Sequence, residues 1–254
     1  MTVTVLPEVT VLYLLIFARL GALVMLMPAL GEQAIPSRIR LAFALMLALV
    51  FYPLLSGRLP QGLSDDLPRL LVAMVSEVLV GLSFGLIARM LLSAAQTAGA
   101  SIASAVGLGF AQTVDPSMGQ QGAIIGSFIS LTGMAMIFAT DLHHVALAGI
   151  ADSYAMFPPG DVLPVEDLRD AALMTAAESF KVGVQISAPF MVFGLIFNLG
   201  LGVLSKLMPQ LQVYFLSMPI SIFVGLVLVA LLSTTMMGWY LGHVETGLMR
   251  LVAP

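Results

Sequence analysis

The sequence predicts an all-α membrane protein, and two observations predict it. Hydrophobic residues make up 59% of the 254 positions and charged residues only 9%, where a soluble domain carries about 25% charged residues. Apolar runs approaching the ~20 residues needed to span a bilayer recur along the whole chain, and no polar stretch between them is long enough for a soluble domain.

The first run, 9–27, is stopped by Pro28. It has no basic segment ahead of it, and Arg19 lies deep inside it, so it reads as a retained span and not as a signal peptide. The second, 39–55, is shorter and ends near Pro53. The third, 70–92, carries Glu77 and Arg89, whereas the fourth, 122–139, is free of charge. The fifth, 182–204, is broken by Pro189 and Asn198, and the sixth, 213–241, has Pro219 near its start. Between the fourth and fifth lies the most polar region. There Asp141 is expected to N-cap a short amphipathic helix, 157–160 (FPPG) to form a turn, and 166–180 to form a helix whose acidic first turn suits the helix dipole. Lys and Arg fall in similar numbers on both sides of such a serpentine, so the positive-inside rule fixes no orientation and points to helices stabilised by partner chains.

One stretch fits neither lipid nor a soluble fold. Residues 94–121 are rich in Ala, Ser, Gly and Thr and end in a loop with a single aromatic, Phe110, ahead of Asp115 and Pro116. Backbone outside a helix is tolerated at membrane depth only where it is buried in protein or lines a water-filled cavity. The stretch therefore marks a pore, a binding cavity or a seam between helices. The small residues of 94–106 argue for a helix packed closely on partner chains, as do the small-xxx-small pairs Gly81/Gly85 and Gly238/Gly242.

Arg19, Glu77 and Arg89 are charges buried between helices on this reading, since a charge at mid-bilayer costs at least a few kcal/mol and faces protein or water. They form either a proton relay or a structural ion pair, and only Glu77 is deep enough for the relay. Several chemistries are excluded. Without cysteine there are no disulfides, thiolate metal sites or cysteine nucleophiles. No Gly-rich phosphate loop and no GxSxG element occur, so neither a catalytic residue nor an enzyme is expected. Asp141 and His144 have ligand spacing, but His143 and His144 point about 100° apart on a helix and no further donor completes a shell. Asp141 is therefore taken as a cap, with no metal or cofactor expected. The absence of a Lys/Arg cluster argues against nucleic acid.

Three segments carry a resemblance to a known family. They are Arg19, Pro28, Gly31-Glu32 and 35–40 (IPSRIR); 107–116 (GLGFAQTVDP); and 198–213 (NLGLGVLSKLMPQLQV) followed by Met218-Pro219. In this order and spacing the chain resembles the FliR/SctT family of type III export-apparatus proteins over nearly its whole length. The resemblance implies one copy of the chain in a hetero-oligomeric export gate with several copies of FliP and FliQ, near FlhB. It implies tilted, broken helical hairpins stacked in a helical complex in the bacterial inner membrane at the flagellar basal body, raised in part toward the periplasm and in contact with lipid. Unfolded flagellar proteins would pass through the pore. It also implies a FliP-like part over 1–170 and a FliQ-like hairpin over 171–254. Gly107, Leu108, Gly109, Phe110, Asp115 and Pro116 correspond to the loop that seals the resting pore. Lys206, Pro209 and Gln210 correspond to the turn of the C-terminal hairpin at its cytoplasmic end. The alternative from the residues alone is a small proton-coupled transporter, with Glu77 and a broken 189–198 helix forming its site.

Overall fold

Each of three helices runs far beyond the apolar segment that identifies it. The computed structural model describes residues 8–27, 35–60, 62–108, 123–160, 165–208 and 213–252. Among them the elements are α1 (Glu8–Leu26), α2 (Ser37–Leu55), α3 (Leu67–Val106), α4 (Ala123–Ala139), α5 (Leu142–Met156), α6 (Val165–Leu207) and α7 (Val213–Val252). Short 3-10 turns at Ser56–Arg58 and Leu63–Asp65 link α2 to α3. No strand occurs among the described residues. The protein is an all-α membrane protein with five helices long and apolar enough to cross a bilayer. A sixth span results if α4 and α5, bent by 77° at their junction, are taken together.

The unexpected lengths have local causes. α3 continues past residue 92 because 94–106 is dominated by Ala, the best helix former, and it ends only where Gly107 turns to φ +92°. The segments 166–180 and 182–204, expected as two helices, are one helix of 43 residues. Pro189 lies inside it and Pro219 inside α7, as membrane helices allow where neighbours satisfy the freed backbone groups. At 1.5 Å per residue, the 40 residues of α3 correspond to ~60 Å of helix, about twice the hydrocarbon thickness of a bilayer.

The chain forms two compact units: 1–91 with 141–176 and 245–254, and 92–140 with 177–244. These units interleave along the sequence, which a division by resemblance at residue 170 does not, and α6 passes through the expected join without a break. In the first unit, Leu12, Leu15, Ile16, Leu20 and Leu23 of α1 form a core with Ala48 of α2, Val80 and Phe84 of α3, and Ile150 and Tyr154 of α5. α1 and α3 approach closely, because a Cβ on Gly81 would overlap the Arg19 carbonyl oxygen and one on Gly85 would stand 2.8 Å from Leu26 Cβ. In the second unit, the Ala-rich end of α3 is the buried centre, with Ala94, Ala95, Ala98, Ile102, Ala103 and Val106 all shielded. The helices around it are the chain's own. Gly126 of α4 lies against Gly99, Gly183 of α6 against Thr97, and Gly225 of α7 against Val106. The seam expected to meet partner chains is therefore closed internally. Gly238 and Gly242 go the other way, with nothing within 4 Å of where a Cβ would stand, so this small-residue pair packs no helix among the described residues.

Candidate functional site

Two helix ends hold the residues that the sequence singles out, one in each unit. In the first unit, Arg19 is buried within the apolar core, and it can be there because each of its N–H donors has an acceptor. Nε donates to Glu77 Oε2 at 2.7 Å, and Nη2 donates to Glu77 Oε1 at 2.7 Å and to the Phe157 carbonyl at 2.8 Å. Nη1 donates to the carbonyl and the hydroxyl of Ser153 at 3.0 and 3.2 Å. That is the full complement of five donors on a guanidinium. The cation also lies 3.8 Å above the centre of the Tyr154 ring, where the ring quadrupole attracts it. Ser153 and Phe157 close the C-terminal end of α5, whose last carbonyls lack intrahelical donors. Arg19 thus neutralises Glu77 and caps α5 with one planar group, a favourable place for a cation on the helix dipole.

This arrangement decides between relay and ion pair. Both oxygens of Glu77 are engaged by Arg19 and the pair is buried, which leaves it no open lone-pair direction toward a passing ion. The transporter alternative also needs a broken helix at 189–198, whereas α6 is continuous there and Asn198 Nδ2 donates back to the Gly194 carbonyl of its own helix at 2.8 Å. Arg89 is corrected outright, because it is exposed and not a buried inter-helix charge. Twelve residues beyond Glu77 at ~100° each place it about 120° around α3, off the face that meets α1.

In the second unit the notable end is that of α3, from which the 107–121 loop leaves. Gly107 adopts φ +92°, its N–H donates to the Ser104 carbonyl at 3.2 Å, and the Leu108 N–H donates to the Ala103 carbonyl at 2.9 Å. These are the two bonds of a Schellman motif, with glycine at the left-handed position where a side chain would be strained. The next free carbonyl, that of Val106, accepts a 2.8 Å bond from the hydroxyl of Ser221 in α7. Gly194 of α6 covers the Ala105 carbonyl so closely that a Cβ there would stand 2.6 Å from it. The root of the loop is held from both sides.

Of the expected loop residues, Gly107 and Leu108 belong to this root, while Gly109, Phe110, Asp115 and Pro116 lie outside the described residues. So do Pro209 and Gln210. Lys206 is exposed in the last turn of α6, near the carbonyl end that a cation favours. Asp141 departs from expectation. It stands at the N-cap position of α5 but in a left-handed conformation at φ 58°, with no side-chain capping bond. Its carboxylate lies instead 3.7 Å from His144 Nδ1. The rings of His143 and His144 are 4.1 Å apart, closer than helical spacing suggests, and Asp141, His143 and His144 could bring three ligand atoms within 4.8 Å of one another.

Sequence reasoning did not single out Ser153, Tyr154 and Phe157 around Arg19, because nothing local links residues more than 130 positions apart. It also missed Ser221, Gly225 and Gly194. For these a signal exists, since Ser217, Ser221 and Gly225 repeat at every fourth position, the spacing of a close-packing helix face.

The two sites define a helical membrane scaffold, built on packed helix ends and not on a reaction centre. Comparison with known proteins agrees. Residues 10–247 match the family described as bacterial export proteins, family 1. The flagellar biosynthetic protein FliR of Caulobacter vibrioides is 43% identical over 229 residues, covering 89% of this chain and 90% of that protein. FliR of Bacillus subtilis is 31% identical, covering 85% of this chain and 83% of the relative. The Yop proteins translocation protein T of Yersinia pestis is 23% identical, with 89% and 87% covered. The chain belongs to the bacterial export proteins, family 1. It is a membrane component of a flagellar-type export apparatus and not an enzyme.

Proposed function

We propose that this chain is one subunit of the gate through which unfolded flagellar proteins cross the bacterial inner membrane. One copy assembles with FliP- and FliQ-like subunits and meets an FlhB-like subunit at the flagellar basal body, partly raised toward the periplasm. Residues 1–170 act as its FliP-like part and 171–254 as its FliQ-like hairpin, with Lys206, Pro209 and Gln210 turning at the cytoplasmic end. The loop 107–121 seals the resting pore, and Phe110 is its plug.

The observation that carries this reading is the root of the loop. The chain leaves α3 through a glycine turn fixed by Schellman bonds, inside a buried small-residue core. A gate needs such a rigid frame beside a segment able to yield. A second observation supports the hetero-oligomer. Leu195, Ile196, Leu199, Val203 and Leu207 are all exposed on α6, and an apolar surface of this extent needs lipid or partner helices to cover it. Deletion of residues 107–115 from the assembled complex is expected to let small ions leak through it in reconstituted vesicles. Unchanged conductance with assembly intact rejects the plug. In mild detergent the chain is expected to co-purify as one copy with its FliP- and FliQ-like partners, and a stable monomer rejects the subunit reading.

A further inference from the structure

The carbonyl of Val106 is the last that α3 presents before the loop, and it is buried. The two carbonyls at 103 and 104 are satisfied by the loop's own first amides. The carbonyl of Val106 is instead satisfied from another helix, 115 positions away, by the hydroxyl of Ser221. One turn further along α7, a Cβ on Gly225 would overlap the Val106 side chain, so the same face of α7 grips this residue by its carbonyl and by its side chain. Without the hydroxyl, the carbonyl would be a buried acceptor lacking a donor, a state that costs more than the hydrogen bond itself gains. The nearest relief is rotation of the Val106–Gly107 peptide, which glycine permits. That rotation would re-aim everything that follows.

We propose that Ser221 is the positioning residue of the gate loop, holding the peptide from which the loop departs so that α7 and the loop root move together. This rests on the reading of 107–121 as a seal, and it adds the element that sets the seal's direction. The C-terminal helix thereby becomes the part of the chain through which an opening signal reaches the loop.

The test compares Ser221→Thr with Ser221→Val in the assembled complex, because the two side chains have nearly the same shape and differ in the hydroxyl. Ion leak through reconstituted complexes is measured beside the 107–115 deletion. Ser221→Thr is expected to seal like the wild type. Ser221→Val is expected to raise the leak roughly five-fold, the population change that follows from losing one ordinary hydrogen bond, and less than the deletion does. Equal leak from Thr and Val overturns the proposal, because a packing role would not separate them. Should the larger side chains impair assembly, Ser221→Cys keeps the size with a weaker donor. An intermediate leak then supports the proposal and a wild-type seal overturns it. If the deletion itself does not leak, the sealing reading falls. If it leaks while Val seals, only the role of Ser221 falls.

Discussion

Two buried helix ends in this chain face the same problem and solve it with opposite chemistry. At the end of α5, open carbonyls meet a guanidinium whose charge is balanced by Glu77. At the end of α3, they meet a glycine turn and one neutral hydroxyl. The first solution is strong and brittle, because every donor is committed and losing either partner strands a charge in an apolar core. The second is weaker, since each neutral bond contributes only about 1 kcal/mol, and it depends on backbones approaching closely. A fixed tie suits the first, and an element that must yield suits the second.

The comparison is broken most directly at the ion pair. Arg19→Ala or Glu77→Ala is expected to destabilise the chain by about 3–5 kcal/mol, the cost of an orphaned buried charge, and to abolish assembly. The double variant Arg19→Met with Glu77→Leu is expected to recover much of this, as apolar replacement of a whole buried pair does. Yield and thermal unfolding of the detergent-solubilised complex measure both, and additive losses would show that the two residues are not coupled.

Next comes the close packing of the second unit. Gly99→Leu drives a side chain into the α4 backbone at Gly126 and is expected to cost about 1–3 kcal/mol as an overpacked core, seen as a lower unfolding temperature. If it has no effect, the internal seam around 94–106 does not exist as described. Gly107→Ala places a Cβ in the left-handed region and is expected to cost about 1–2 kcal/mol. It should raise ion leak more than it lowers stability, whereas equal effects on both would make the α3 end a mere cap. The smallest effect is expected from Ser153→Ala, about 1 kcal/mol. It removes the 3.2 Å hydroxyl contact to Arg19 and leaves the carbonyl contact at 3.0 Å in place.

Much of this was legible in the sequence. The spans of α1, α2 and α4 fall within a residue or two of the apolar runs, because lipid-length hydrophobicity is a local property. The pairing of Arg19 with Glu77 follows from two opposite charges that could not otherwise be buried. Helix lengths were underestimated wherever a polar or small residue interrupted hydropathy without interrupting backbone hydrogen bonds, as at 93–106 and 181. Arg89 was misplaced because hydropathy along a run does not reveal which face a residue occupies. The grip of Ser221 on Val106 was hidden for a different reason: its two halves lie on helices far apart in the chain, and only the fold brings them together.

The Arg19 tie also sets an order of events during synthesis. Its acceptors lie 58 to 138 positions downstream, so the first helix emerges long before them. At a translation rate of about 5–20 residues per second, the guanidinium waits roughly 7 to 28 seconds for its last acceptor. Until then the nascent α1 carries an unbalanced cation that the bilayer interior rejects. Its first helix therefore cannot settle at its final depth by itself, and the newborn chain must be held at the interface until α5 has been made.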